Sequence, residues 1–113
     1  MTVKELIEKT GFKVLVKGDV DRPVTGEFSC DLLSIVMSKA FADCAWITVM
    51  GNVNSVAVAS LVDMSCIVLA DGSSVDQQML ARADQQEITV LESDLPIVET
   101  VVKIRQARID DAS

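Results

Sequence analysis

Residues 44–62 carry no charged side chain, and this stretch constrains the fold more than any other. Its length is close to that of a membrane-spanning helix, but Thr48, Gly51, Asn52, Asn54 and two serines interrupt it. The residues before Gly51 are rich in Trp, Ile and Val, which favours a strand, whereas the apolar residues from about 54 to 62 favour a helix. The stretch therefore predicts a buried strand followed by a buried helix.

Strand and helix patterns alternate in single file along the chain. The predicted strands are 12–16, 45–50, 65–70 and 88–91. The predicted helices are 3–10, 31–41, 54–62, 75–86 and 95–108, with residues 109–113 frayed. Such alternation indicates an α/β fold with a mainly parallel sheet of four to five strands and helices on both faces. We predict one domain over residues 1–113, with the four apolar strands pointing the same way.

The charge and the side-chain types exclude several classes of function. A net charge of −7 without a basic patch argues against nucleic acid or an anionic membrane as a partner. The chain has no histidine, and Cys30, Cys44 and Cys66 are widely spaced, so no metal site and no cofactor are predicted. Catalytic nucleophile–histidine pairs and Gly-rich phosphate loops are missing, which argues against an enzyme. Free thiols and the lack of a signal peptide predict a cytoplasmic protein.

Polar turns that follow parallel strands mark the place for a ligand, because ligands bind beyond the carboxyl ends of such strands. The turns at 19–27, 51–54, 71–74 and 93–94 are therefore expected to meet at one edge of the sheet. The first belongs to a polar loop, GDVDRPVTGE. In this loop Pro23 fixes one φ angle, and Gly26 permits a positive φ. The candidate ligand-binding residues are Asp21, Arg22, Thr25, Gly26, Asn52, Asn54, Asp71 and Ser73.

Each candidate also has a structural interpretation that the sequence leaves open. Arg22 is either a bidentate clamp for phosphate or carboxylate, or the partner of Asp19 or Asp21. The aspartates Asp19, Asp21 and Asp31 either bind a cation or order their turns. Asn54 also suits the N-cap of the predicted helix 54–62. Thr25 and Ser73 suit turns or caps in the same way.

The two middle helices, 31–41 and 54–62, leave almost no polar face. Between Leu32 and Val62 only Lys39 and Asp43 are charged, and half of the whole chain is hydrophobic. We expect one side of these helices to lie against the sheet and the other against a partner, for which a second copy of the chain is suited. The sequence therefore predicts a homodimer.

The stretch GDVDRPVTGEFSCDLLSIVM resembles the DRTGG domain family, named for an Asp-Arg-Thr-Gly-Gly signature. The match runs through Asp21, Arg22, Thr25 and Gly26 and the Asp-Leu-Leu-Ser that follows at 31–34. The stretch AWITVMGNVNSVAVASL resembles the family's strand, its Asn, here Asn54, and its Ala-rich helix. The resemblance covers roughly residues 14–91. One departure is Glu27, which stands in place of the second glycine of the signature.

The resemblance implies a three-layer α/β/α sandwich shared with the N-terminal domain of HPr kinase. Members occur in pyrophosphatases with CBS domains, in some phosphotransacetylases and as stand-alone proteins, and they are regarded as regulatory and often dimeric. Because the pyrophosphatase members accompany adenine-nucleotide control, a nucleotide is a candidate ligand. We therefore expect a non-catalytic regulatory domain that binds a small metabolite or nucleotide at the strand-end loops. The alternative is a protein–protein interaction or dimerisation module without a small-molecule ligand.

Overall fold

The computed structural model describes residues 1–112, which form five strands and five helices. The strands are β1 (Lys13–Val16), β2 (Gly26–Ser29), β3 (Cys44–Thr48), β4 (Cys66–Leu69) and β5 (Thr89–Glu92). The helices are α1 (Val3–Thr10), α2 (Leu33–Lys39), α3 (Val53–Val62), α4 (Gln77–Gln85) and α5 (Ile97–Ala112). Because α5 continues to Ala112, the fraying predicted for residues 109–112 is wrong. Ser113, the last residue of that prediction, lies outside the described residues.

Helix α1 is set by its own end residues. Thr2 Oγ1 accepts a hydrogen bond from the Glu5 N–H at 3.2 Å, and the Glu5 carboxylate accepts one from the Thr2 N–H at 3.0 Å. This capping box satisfies backbone donors that a helix start leaves unpaired, and it lowers the pKa of Glu5 from its ordinary value. Gly11 ends the helix at a φ of 71°, a left-handed conformation that glycine adopts without a steric penalty.

The sheet has the strand order β1-β5-β4-β3-β2. Strands β2 to β5 are parallel, so the predicted α/β fold with a mainly parallel sheet is confirmed. Strand β1 pairs with β5 antiparallel, and the expectation that all four apolar strands point the same way is wrong. We call the end of the sheet where β2 to β5 begin the amino edge, and the end where they stop the carboxyl edge.

The loop between β1 and β2 explains the reversed strand. The sequence predicts a loop over residues 18–27, whereas β2 begins at Gly26 and forms the far side of the sheet. Five strands about 4.8 Å apart span roughly 19 Å, and the residues between β1 and β2, 17–25, reach at most about 30 Å. The loop is long enough to cross the sheet along one edge. It contains no helix that could carry the chain back to the opposite edge. Strand β1 must therefore end where β2 starts.

Helices cover both faces of the sheet, as predicted. Helices α2, α3 and α4 share one core cluster with Trp46, Ile67 and Val90, while α1 and α5 share the other with Ile47 and Val68. Residues of β3 and β4 alternate between the two clusters and are all buried, which explains their unbroken apolar sequence. None of the helices within residues 1–112 is both long and apolar enough to span a membrane.

Helix α2 differs from its predicted environment. The sequence indicates a helix buried nearly all round, yet Val36 is the only buried residue of α2 within this chain. Leu32, Ile35 and Met37 are exposed, and so is Phe41 after the helix end. Most of the apolar side chains in and around α2 therefore lie on a surface that the rest of the chain does not cover.

Candidate functional site

The eight predicted site residues form two groups at opposite edges of the sheet. The amino-edge cluster consists of Asp21, Arg22, Thr25 and Gly26, and the carboxyl-edge cluster of Asn52, Asn54, Asp71 and Ser73. The expectation that all of them meet at one edge is wrong, because the antiparallel β1 delivers the loop 17–25 to the amino edge. No side chain of one cluster can therefore share a small ligand with the other.

The loop of the amino-edge cluster passes the starts of three neighbouring strands in turn. The Asp19 N–H donates to Glu87 O beside β5 at 2.9 Å, and the Thr25 N–H donates to Asp43 O beside β3 at 3.0 Å. Between them, Arg22 reaches Asp63 near the start of β4. On the other side, the carbonyls of Val20 and Arg22 accept N–H bonds from the first turn of α1. The loop is thus held along its whole length by backbone hydrogen bonds and by the ion pair of Arg22.

Arg22 is the central side chain of this cluster. Its Nη2 donates to Asp43 Oδ1 at 3.0 Å and to Asp63 O at 2.9 Å, and its Nη1 pairs with Asp63 Oδ1 at 3.0 Å. The side chain is 23 % exposed. Burial by itself lowers the pKa of Arg22, but the bonds and charges of the two aspartates outweigh burial and raise the pKa above its ordinary value. Of the sequence interpretations, the ion pair holds, with Asp43 and Asp63 in place of Asp19 or Asp21.

We expect Arg22→Ala to lower the free energy of unfolding by about 2 kcal/mol, because three charge-assisted hydrogen bonds are lost. Arg22→Lys should recover only part of this loss, since an ammonium group cannot reach the same acceptors with the geometry of a guanidinium fork. Urea unfolding measures both variants, and exposed Lys17→Ala serves as the control with a change within about 0.5 kcal/mol. An Arg22→Ala variant as stable as the wild type would contradict a structural role.

The other residues of the amino-edge cluster also have structural contacts. Thr25 Oγ1 donates to Asp43 O at 3.4 Å, and a Cβ added at Gly26 would lie 3.0 Å from the Phe41 ring. The Asp21 N–H donates to the Asp19 carboxylate at 3.1 Å, which orders the turn. Arg22, Thr25 and Gly26 therefore hold the start of β2 beside Asp43 and Phe41, whereas Asp21 contributes only to the local turn.

The carboxyl-edge cluster lies at the start of α3 and in the loop after β4. Asn52 Oδ1 accepts from the Asn54 N–H at 3.0 Å, so Asn52 is the N-cap of α3 and the predicted cap, Asn54, is wrong. Asn54 is exposed on the first turn of the helix. Asp71 has a φ of 61° and donates its N–H to Leu95 O at 2.8 Å. Ser73 Oγ donates to Ala70 O.

The loops at the carboxyl edge pack against each other. The Asp76 N–H donates to Gly51 O at 2.9 Å, and a Cβ added at Gly51 would lie 2.5 Å from Ser74 O. Helices α2, α3 and α4 all lie on one face, so the order of β2 to β5 never reverses and no topological switch point opens a crevice. A ligand at this edge must bind on the exposed rim of the loops.

Five of the best-formed cavities avoid all eight predicted residues. They have volumes from about 250 to 710 Å³. The largest is an open groove along α5, beside Val98, Val102 and Lys103. Within residues 1–112, no group of three or more Cys, Asp or Glu side chains is arranged to hold a metal ion.

Several residues that shape the two clusters escaped the sequence interpretation. Asp43 and Asp63, the partners of Arg22, both have a φ of 65° and join a helix to a buried strand. An Asp between an apolar helix and an apolar strand is a signal that a closer sequence argument could use. For Asp31, the sequence left open a cation site or an ordered turn. Its carboxylate accepts from Thr48 Oγ1 at 2.7 Å and from the Val49 N–H at 3.1 Å, so it orders its turn.

Glu27, the departure from the DRTGG signature, has a clear environment in the structure. It lies in β2 and its side chain is completely buried. Arg105 Nε donates to Glu27 Oε1 at 2.7 Å, and Arg108 Nε donates to Oε2 at 2.6 Å. The carboxylate therefore joins β2 to α5, and the backbone at this position is extended strand that needs no glycine.

Comparison with known proteins identifies the fold. No family model matches the chain, and no curated protein matches it significantly. It is similar to the crystal structure of the CBS and DRTGG domains of the regulatory region of Clostridium perfringens pyrophosphatase, complexed with the activator diadenosine tetraphosphate. The TM-score is 0.73 at 10 % sequence identity, over 94 % of this chain and 46 % of that one. The chain spans about half the length of that structure and has a DRTGG-like α/β sandwich fold.

Proposed function

We propose that this chain is a non-catalytic regulatory domain that binds a small metabolite or a nucleotide at its carboxyl-edge cluster. The observation that carries the proposal is the fold shared with a regulatory region that was crystallised with a nucleotide activator. The similarity covers nearly the whole chain. A regulatory role needs neither a nucleophile nor a general base, in keeping with a chain that has no histidine and no Gly-rich phosphate loop.

The carboxyl edge suits a ligand better than the amino edge. At the amino edge, Arg22 already donates to two aspartates and a carbonyl, so a ligand would have to displace strong intramolecular bonds. At the carboxyl edge, Asn54 is exposed on the first turn of α3, and Asp71 is exposed on the loop after β4, where its N–H donates to Leu95 O. An Asn amide offers two donors and an acceptor, which is suited to a nucleobase or another polar uncharged group. The negative charge of Asp71 repels phosphate groups. Asp71 therefore favours contact with the nucleobase or other uncharged part of a ligand.

Thermal unfolding with AMP, ATP, diadenosine tetraphosphate and acetyl phosphate, followed by calorimetry, tests the ligand proposal. A ligand at a concentration of 100 Kd should raise the free energy of unfolding by about 2.7 kcal/mol and increase the Tm. Asn54→Ala should weaken binding roughly tenfold or more, as expected for a lost hydrogen bond of about 1.4 kcal/mol. Asp21→Ala, which changes an exposed side chain at the amino edge, is the matched control and should bind normally.

Two results would reject this site. If none of the compounds changes the Tm, the ligand proposal loses its support. If Asp21→Ala weakens binding and Asn54→Ala leaves it unchanged, the ligand belongs to the amino edge. A bound compound that is turned over to product would reject the non-catalytic role.

An interaction module is the second candidate function, and the exposed apolar side chains of α2 favour it. Leu32, the N-cap of α2, is 56 % exposed and Met37 is 51 % exposed, whereas Val36 of the same helix is buried in the core. Exposed apolar groups that cluster on one face are typical of a surface that binds another protein. The two functions are compatible, because ligand binding to a regulatory domain can be transmitted to another protein through the surface at which the two associate. We also propose, as the sequence predicts, that the chain is cytoplasmic and forms a homodimer.

A further inference from the structure

Strand β2 forms one lateral edge of the sheet, and that edge is open. Its four residues pair with β3 on one side and with no strand of residues 1–112 on the other. Alternate residues of an edge strand turn their N–H and C=O groups away from the sheet, where another extended chain can pair with them. The β2 edge is therefore able to accept a sixth strand.

The strand at the other lateral edge, β1, is protected against such pairing. It begins at Lys13 and is followed by Lys17, and its register with β5 shifts between Val14 and Val16. Lysines and bulges are the means by which edge strands avoid pairing with other chains. Strand β2 contains no lysine and pairs with β3 in a regular register.

The face of β2 toward α5 has an excess of positive charge. Glu27 lies buried against Arg105 and Arg108, and two guanidinium groups with one carboxylate leave a charge of +1. Arg105 is 57 % exposed and uses only its Nε for Glu27. Its Nη1 and Nη2 donate to no acceptor within residues 1–112, so their N–H groups are available to hold a second carboxylate bidentately. That carboxylate would make the group neutral.

The opposite face of β2, toward α2, is apolar. Phe28 is partly buried against the core cluster that α2, α3 and α4 share. Gly26, two residues earlier in the strand, lies on the same face, and a Cβ added there would lie 3.0 Å from the Phe41 ring. Phe41 itself is 42 % exposed. A side chain placed beside β2 on this face therefore meets aromatic rings.

A strand added beside β2 has to match both faces. Successive side chains of a strand point to opposite faces, and neighbouring strands lie about 5 Å apart. Every second side chain of the added strand would therefore lie within reach of the Arg105 guanidinium. The side chains between them would lie on the face of Phe28 and Phe41. The segment that fits best is one in which acidic and apolar residues alternate.

A second copy of this chain does not offer such a segment at its own β2. That strand reads Gly-Glu-Phe-Ser, and the Glu27 carboxylate is already bound by two arginines. Pairing two β2 strands would bring together two groups of charge +1, and like charges across an interface oppose association. The charges at this edge therefore favour a segment of a different protein.

We propose that β2 binds an extended segment of another protein as a sixth strand of the sheet, with an acidic side chain on Arg105 and apolar side chains beside Phe28 and Phe41. In this mode of recognition, backbone hydrogen bonds provide affinity and alternate side chains provide selectivity. The inference rests on the interaction function proposed above, and it names the surface and the kind of partner.

An NMR titration of the full chain, labelled with nitrogen-15, tests the pairing. The probe is a nine-residue peptide of alternating valine and glutamate, blocked at both ends. It should bind with a Kd below about 1 mM, and it should shift the amide signals of residues 26–29 while leaving those of 13–16 in place. A peptide with glutamine in place of glutamate should bind at least about tenfold more weakly, because it lacks the charge-assisted bonds to Arg105.

Two further comparisons separate the two faces. A peptide with all of its valines before all of its glutamates has the same composition but cannot match both faces, and it should not bind. Arg105→Ala should weaken binding of the alternating peptide about tenfold, as the loss of a charge-assisted contact predicts. Arg108 still pairs with Glu27 in that variant. Arg82→Ala, at an exposed position of α4, is the matched control and should bind normally.

Several results would overturn the inference. They are no binding of the alternating peptide at 1 mM, equal binding of the glutamine peptide, and shifts centred on 13–16 or on another part of the chain. If Arg105→Ala does not fold, the peptides compared on the wild type decide the question. Signals of 26–29 that change with protein concentration before any peptide is added would show a second copy at this edge, which would also overturn the inference.

The proposals fail separately. If no peptide binds but a nucleotide raises the Tm, the ligand function stands and the β2 inference is lost. If no peptide binds but the chain associates through another surface, the interaction function stands without the β2 edge. If the alternating peptide binds as expected while none of the tested compounds does, the β2 edge stands and the ligand function is lost.

Discussion

Replacing Arg105 and Arg108 together with alanine is expected to lower the free energy of unfolding by about 3 kcal/mol, because the Glu27 carboxylate would remain buried without a partner. In the wild type both carboxylate oxygens accept from arginine Nε atoms, and Arg108 Nη2 adds a bond to Oε1 at 3.2 Å. The expected loss is at the lower end for a buried ion pair. The arginine side chains are 57 % and 31 % exposed, so water can enter once they are removed.

Urea unfolding of the double variant measures this loss directly. Arg82→Ala, at an exposed position of α4, is the control and should change the stability by less than about 0.5 kcal/mol. Adding Glu27→Gln to the double variant should restore part of the stability, because a neutral amide is less costly to bury than a carboxylate. A double variant that loses as little as the control, or a third substitution that adds to the loss, would refute the ion-pair account.

The pH dependence of the free energy of unfolding should differ between the wild type and the double variant. Burial by itself raises the pKa of Glu27, but the bonds to Arg108 and Arg105 outweigh it and hold the pKa below its ordinary value. A pKa that is lower in the folded state stabilises the protein above the unfolded pKa of about 4.3, and this contribution is lost as pH falls through the folded pKa. Without the arginines only burial remains, and the pKa should rise. The stability difference between wild type and double variant should therefore shrink from pH 7 to pH 3, and a constant difference would contradict it.

Replacing Trp46 with alanine is expected to lower the free energy of unfolding by about 4 kcal/mol. The substitution removes the largest fully buried side chain of the core and leaves a cavity in its place. Trp46 lies in β3 and packs in the cluster beneath α2, α3 and α4. Its Nε1–H donates to Cys30 O at 3.0 Å, which fixes the chain just before α2. The variant should therefore also expose the backbone of α2.

Trp46→Phe separates the two contributions. It keeps most of the apolar volume but leaves Cys30 O without its donor, so we expect a loss of about 1 to 2 kcal/mol. Urea unfolding measures both variants, and amide hydrogen exchange over residues 31–41 reports on α2. If Trp46→Phe were as unstable as Trp46→Ala, the hydrogen bond rather than the cavity would dominate. If exchange in α2 were unchanged in both, Cys30 O would have no role in fixing the helix.

The contacts of Arg22 and Glu27 change the meaning of the signature that suggested the fold. The sequence indicated Arg22 as a ligand clamp or an ion-pair partner, and both roles are compatible with the same residue in the same loop. Only the position of the loop distinguishes them, and at the amino edge Asp43 and Asp63 already occupy the guanidinium. Glu27, seventy-eight or more residues away from its arginines along the chain, had no local pattern from which its partners could be predicted.

Local patterns alone determined the helix caps of α1, the buried strands β3 and β4 and the α/β class, because each depends on residues only a few positions apart. The tertiary structure decided the direction of β1, since a loop without a helix must stay at one edge of the sheet. That direction placed Arg22 and Asn54 at opposite edges. The sequence likewise determined that α2 is apolar, but only the packing of the whole chain left its surface uncovered, because hydrophobic burial has no preferred partner.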